Sequence, residues 1–247
     1  MENELLPGSM DEIPIIWIDD ALLVVDKPTG LSVLPDGWQP QKPFVKELLE
    51  KRYGKLWVVH RLDHGTSGVL IFGRTPDAHR ELNRQFENRE VRKIYHAIVV
   101  GNPGWETKEV FLPLRVNVGH HHRTAVDAQH GKPSSTSLRV LERFEHFSLL
   151  EAEPHTGRTH QIRVHLNQMQ FPVAGDRLYT PQRLTKQGEE NLPERENNLP
   201  DELINRVFLH AWTLAVKHPL TGEICQYQAA YPFDFNLLIN YLRTNQA

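Results

Sequence analysis

The chain has 247 residues, 39% apolar and 24% charged, which is enough for one large core and ordinary for a globular protein. Its single cysteine, Cys225, excludes an internal disulfide, and no apolar run approaches the ~20 residues that span a bilayer. A net charge of −3 excludes holding nucleic acid by bulk charge, though not by a local basic face. The polar opening lacks a secretory pattern, so a reducing, cytoplasmic setting is expected.

In chain order, residues 1–12 read as a flexible tail. IPIIWIDDALLVVDKPTG reads as two short strands around Asp19 and Asp20, closed by a Pro-Thr-Gly turn. PFVKELLEKRYG reads as a helix, with Pro43 in its first turn, Phe44, Leu48 and Leu49 as its stripe and Gly54 at its end. GVLIFGR is a buried strand. TPDAHRELNRQFENR is a helix with Thr75 as N-cap, Pro76 at its first position and Asp77 in its first turn. Its stripe is Ala78, Leu82 and Phe86. RKIYHAIVVG alternates as a strand, with Tyr95, Ala97 and Val99 on one face and Gly101 as its bound.

From Asn102 to Ser135 turns dominate and carry the basic tract GHHHR. TSLRVLERF and FSLLEAEP form a hairpin. GRTHQIRVHLNQM is a short helix that Thr159 could cap, with Ile162, Leu166 and Met169 in the core. Residues 181–200 are polar and acidic and read as a surface insertion. LHAWTLAVKHPLTGEICQYQAAYP is a hairpin turning at Pro-Leu-Thr-Gly. A last helix starts at Asp234 and carries Phe235, Leu238 and Leu242. Strands and helices do not alternate regularly, so the expected class is α+β: a mixed, largely antiparallel central sheet with peripheral helices. No linker splits residues 13–247, which read as a single catalytic domain.

The chemistry concentrates in VVHRLDHGTSG. His60, Asp63 and His64 at i, i+3, i+4 would converge on a metal if the segment were helical. The valines before it and Gly65 and Gly68 after it favour strand–turn–strand, which disperses the three. A nucleophilic serine fails because position 69 is Val, so Gly-x-Ser-x-Gly is not met. Phosphate-loop and dinucleotide patterns are absent. Asp63 remains as a carboxylate among cations, either a turn residue satisfied by backbone N–H groups and Arg61 or a reactive group. A second cationic cluster lies in GRTHQIRVH. There His160, Arg163 and Asn167 share a helix face and Arg158 precedes the helix, where N–H groups attract anions. The alternative for that helix is a surface basic stripe. For Tyr95 the choice is between sheet packing and stacking on a base.

Together the blocks DKPTG, HRLDHGTSGVLIFGRT, RKIYHAIVVG and EPHTGRTHQIRVHL, followed by PVAGDRLY and LHAWTLAVKHPLTGE, resemble the RluA-type family of RNA pseudouridine synthases. The resemblance covers roughly residues 13–232. It implies that Asp63 is the catalytic aspartate, that Tyr95 stacks on the target base and that Arg163 forms a salt bridge to the aspartate. It implies that Arg61 enters the RNA stack near the flipped base, and that His60 and Thr66 support the loop. Arg158 and His160 are further expected substrate contacts. The family's mixed sheet carries a central RNA cleft and uses neither metal nor cofactor. Nothing before Ile13 resembles the small RNA-binding domain of some relatives, so the single-domain branch is expected. The expected partner is structured RNA, rRNA or tRNA, with no membrane, no protein partner and a monomeric state. A non-catalytic RNA-binding protein on the same scaffold is the alternative, and a metallohydrolase built on His60, Asp63 and His64 is a third.

Overall fold

The computed structural model describes residues 13–35, 41–119, 123–179, 204 and 206–245. The expected tail at 1–12, His120 to His122 and the insertion at 181–200 lie outside them. The chain forms two compact units: the first runs to Val91 and includes Leu214–Ala229, and the second comprises Arg92–Thr213 and Ala230 onward.

The first unit is built on β1 (Ile15–Ile18), β2 (Leu22–Lys27), β3 (Trp57–Val58) and β4 (Ser67–Gly73). Asp19 turns the β1–β2 hairpin by accepting from the N–H groups of Ala21 and Leu22, both at 2.8 Å. β2 and β4 pair antiparallel, Leu23 opposite Phe72 and Val25 opposite Leu70. All seven residues of β4 are buried, so the strand is covered on both faces. On one face Leu22, Val24, Val69 and Ile71 pack against Ala78 and Leu82 of α2 (Pro76–Glu87). Thr75 caps α2 as expected, its hydroxyl accepting from Ala78 N at 3.1 Å. Gln85, fully buried on α2, trades two 2.9 Å bonds with the backbone of Lys217. Lys217 ends β11 (Leu209–Lys217), which is followed by its hairpin partner β12 (Ile224–Gln228). The other helix, α1 (Val45–Tyr53), buries Val45 and Leu49 and ends at Gly54, φ 73°. Pro43 stands outside it, because Phe44 is its N-cap.

The second unit orders β5 (Arg92–Val100), β10 (Phe147–Pro154), β9 (Ser135–Arg143) and β6 (Thr107–Phe111) into an antiparallel sheet. Alternation along β5 divides its core. Ile98 and Val100 pack with Phe235, Leu238, Ile239 and Leu242 of α4 (Phe233–Thr244). Ala97, Val99 and the half-buried Tyr95 pack with Ile162 and Leu166 of α3 (Gln161–Gln168). The face predicted for Tyr95 is therefore the face that α3 covers.

Every strand pair with a described register is antiparallel, in keeping with the expected α+β class. The segment from Asn102 to Ser135 differs from expectation. It contains β6 and a ribbon of β7 (Leu114–Val118) and β8 (Arg123–Val126). Four of the five residues in β6, and four in β7, are exposed, so these strands lack the apolar alternation that marks a half-buried one. No helix among the described residues is long and apolar enough to cross a membrane.

Candidate active site

Asp63 lies in an irregular segment between β3 and β4. The helix that a metal site on His60, Asp63 and His64 requires is not there, and no cluster of three metal-binding side chains occurs among the described residues. The loop is a tight turn in which Thr66 N donates to Asp63 O at 3.0 Å. Thr66 is buried, Asp63 half-buried and Arg61 exposed. Gly68, the second residue of β4 and opposite Lys27, has φ 111°, which favours a residue without Cβ.

What holds this loop is the DKPTG segment. Gly30 N donates to His64 O at 2.9 Å, and the Thr29 hydroxyl donates to Gly65 O at 3.0 Å. The Lys27 ammonium, with its side chain fully buried, donates to Leu31 O at 2.7 Å, Pro28 O at 2.9 Å and His64 O at 3.4 Å. Carbonyl oxygens thus compensate a charge that burial would otherwise make costly. His60 fastens the other end. Ile71 N donates to its Nε2 at 3.1 Å, which puts the ring proton on Nδ1, and the ring stacks on Phe86 with centroids 4.8 Å apart.

In the second unit Arg163 is buried, at 7% exposure, where a surface stripe was the alternative. Its Nε and Nη2 donate to the two oxygens of Asp176, each at 2.7 Å, and Asp176 is itself 1% exposed. This fork-on-carboxylate geometry fixes the guanidinium plane. The Tyr179 ring lies 5.1 Å beneath it. Tyr179 Oη accepts from Thr124 N at 3.0 Å and lies 2.7 Å from His160 Nδ1. Burial pushes the Tyr179 hydroxyl up from its ordinary range, against the opposing Thr124 N–H. His160, not Thr159, is the N-cap of α3, in a left-handed conformation with φ 54°. Arg158 lies two residues earlier, its Nη2 reaching Pro133 O at 3.5 Å.

The sequence reading contained neither Asp176 nor Tyr179 as a site residue, although both stand in the quoted block PVAGDRLY. A polar residue close behind that block of cations was the only available signal. His165, fully buried on α3, was missed as well. It bonds Ser134 at 3.0 Å and Thr136 at 2.9 Å, and burial holds its pKa below the usual range.

Comparison with known proteins places the chain. The family model described as RNA pseudouridylate synthase matches residues 21–168. The dual-specificity RNA pseudouridine synthase RluA of Escherichia coli is 35% identical, over 95% of this chain and 99% of that protein. The ribosomal large subunit pseudouridine synthase D of Nitrosomonas europaea is 35% identical, over 94% of this chain but only 65% of that protein. An uncharacterized RNA pseudouridine synthase of Chlorobaculum parvum is 36% identical over 98% of this chain and 77% of its own length. Among solved structures, human RNA pseudouridylate synthase domain containing 4 matches with a TM-score of 0.75 and 25% identity, over 93% of both chains. Extended agreement at this identity, together with the four ordered motifs, leads to one assignment: the chain belongs to the RNA pseudouridine synthase family and is an isomerase.

Proposed function

We propose that this enzyme isomerises a flipped-out uridine of structured rRNA or tRNA to pseudouridine, using Asp63 as the reactive carboxylate. The observation that carries the reading is HRLDHGTSG itself, in a chain matching RluA over nearly the whole of both lengths. The ribosomal target follows from the name of the Nitrosomonas relative, and the transfer-RNA target from the resemblance to the single-domain branch. Residues 13–247 act as one catalytic domain, as a cytoplasmic monomer that needs no cofactor, metal or protein partner.

The reaction breaks the N1–C1′ bond, turns the uracil and joins C5 to C1′. A carboxylate at that junction acts either as a nucleophile on the sugar or as a base toward it, and both roles need Asp63 ionised. By the family resemblance Arg163 is the cation assigned to that carboxylate, and an arginine stays charged when desolvated. The target must first leave its stack, at a cost of a few kcal/mol. Stacking on Tyr95 returns about 1–3 kcal/mol. Exposed Arg61 takes up the vacated space, and Arg158 and His160 contact the RNA beside α3. His60 and Thr66 keep the Asp63 loop in shape for the substrate.

Asp63→Asn tests the reading. The variant is expected to fold and bind transcribed RNA while forming no pseudouridine. Turnover near that of the wild type would refute the role of Asp63. RNA binding without turnover by the wild type would mean a binding protein on the same scaffold. Pseudouridine mapping of RNA from cells with and without the protein identifies the target.

A further inference from the structure

Among the described residues, Lys93 is a cation without a counter-charge in its own unit. It stands on β5 two residues before Tyr95, so both side chains leave the strand on one face, about 7 Å apart. That is the face covered by α3 through Ile162 and Leu166. Two nearby arginines have carboxylate partners. Arg92, on the opposite face, holds Glu153 with two bonds of 3.1 Å, and Arg163 of α3 holds Asp176. Lys93 is half-buried and makes no hydrogen bond or ion pair among the described residues. Burial alone pushes its amine down from the usual range, with no carboxylate opposing it. A desolvated ammonium with no acceptor is costly in the resting enzyme. A substrate that gains negative charge would supply what the described residues around Lys93 do not.

We propose that Lys93 is a further catalytic residue, whose ammonium meets the carbonyl edge of the uracil stacked on Tyr95 and stabilises the negative charge that forms there. The inference rests on the placing of Tyr95 against the base. When N1–C1′ breaks, its electron pair stays with the uracil, and the charge spreads to O2 and O4. C1′ is then either bonded to the Asp63 carboxylate or part of a double bond after C2′ loses a proton to it. After the base turns, C5 supplies the pair that bonds C1′ while the Asp63–C1′ bond breaks or the proton returns to C2′, and the C5 proton is then lost as N1 gains one, which gives the neutral product. Lys93 keeps its proton throughout, and its effect is a fixed charge beside a developing one. A backbone spacing of about 7 Å along the strand stands the lysine beside the tyrosine, on the side where the edge of a base stacked on that ring would come.

Lys93→Met, which keeps the length and apolar stem, tests this. The single-turnover rate at saturating RNA is expected to fall about 100-fold, the scale of one lost oxyanion partner. RNA affinity should be unchanged, and the melting temperature equal or higher, because a desolvated charge is gone. Lys93→Arg should recover part of the rate. With a 5-fluorouridine target, which has no C5 proton to lose, the rate read is that of N1–C1′ cleavage; its base anion is more stable, so Lys93→Met should show a smaller loss in that rate. A wild-type rate at saturating RNA overturns the inference, even if affinity is weakened, since Lys93 would then be a simple phosphate contact. A lowered melting temperature with proportional loss on both substrates also overturns it. If the wild-type chain forms no pseudouridine at all, the proposed function fails and takes this inference with it. An active wild type, an inactive Asp63→Asn and a fully active Lys93→Met defeat the inference alone.

Discussion

Removing the Asp176 carboxylate should cost more stability than any surface change on this protein. Asp176→Ala takes both 2.7 Å partners from a guanidinium that is 7% exposed. It also takes the acceptor from Leu178 N, which lies 3.2 Å from Oδ1. Neither group is exposed enough for solvent to screen the pair. Breaking a buried ion pair by deleting one member costs about 3–5 kcal/mol. In a chain of 247 residues each kcal/mol moves the melting temperature by about 2–4 °C, so the expected drop is on the order of 10 °C. The assay is thermal unfolding of Asp176→Ala, Arg163→Met and the double variant. Replacing both members removes the stranded charge, so the double variant should lose clearly less than the two single losses added together, by more than about 1 kcal/mol. A single-variant shift under about 2 °C, or losses that simply add, would refute the reasoning.

Two further outcomes follow from geometry and burial. At Gly175, φ is 72° and an added Cβ would fall on the Arg206 carbonyl, so Gly175→Ala should lose about 2–4 kcal/mol in a urea titration. Gly222→Ala, with φ 74° and open space around it, should lose only about 1 kcal/mol, and equal losses at the two sites would count against steric crowding. Burial holds the His96 pKa down to about 4, against 6.5 unperturbed, and outweighs the attraction of Glu151 at 3.9 Å, so the ring is neutral near pH 7. As pH falls from 6.5 toward 4, the unfolded chain binds a proton there that the folded chain does not, and stability drops by up to about 3 kcal/mol. His96→Gln should flatten the urea midpoint over that window; a slope equal to the wild type would contradict this.

Local signals made part of the fold legible. The apolar run of β4, the Thr75-Pro76-Asp77 start of α2 and the alternation of β5 each state their structure within a few residues, and all three stand as read. β6 to β8 were illegible because strands with one or no buried residue carry no periodic trace. The ordered motifs marked the candidate site by kind of residue, but not the partners that fix it. Asp176 is thirteen positions from Arg163, and the carbonyls around Lys27 have no side-chain identity, so neither relation has a spacing to detect. Lys93 stands in the sequence as one lysine of the strand RKIYHAIVVG. Its lack of a partner is a property of folded surroundings.

The clasp between DKPTG and the Asp63 loop has a consequence for engineering. Three of its bonds end on main-chain oxygens of that loop, those of His64 and Gly65, which a side-chain substitution leaves in place. Substitutions at 64 and 65 can therefore be made while those bonds persist, with Asp63 kept as the reactive carboxylate. A transplant obeys the opposite rule. Grafting HRLDHGTSG alone into another scaffold would deliver the carboxylate without its anchorage; the portable module is two strands of a sheet, carrying residues 26–31 together with 60–68.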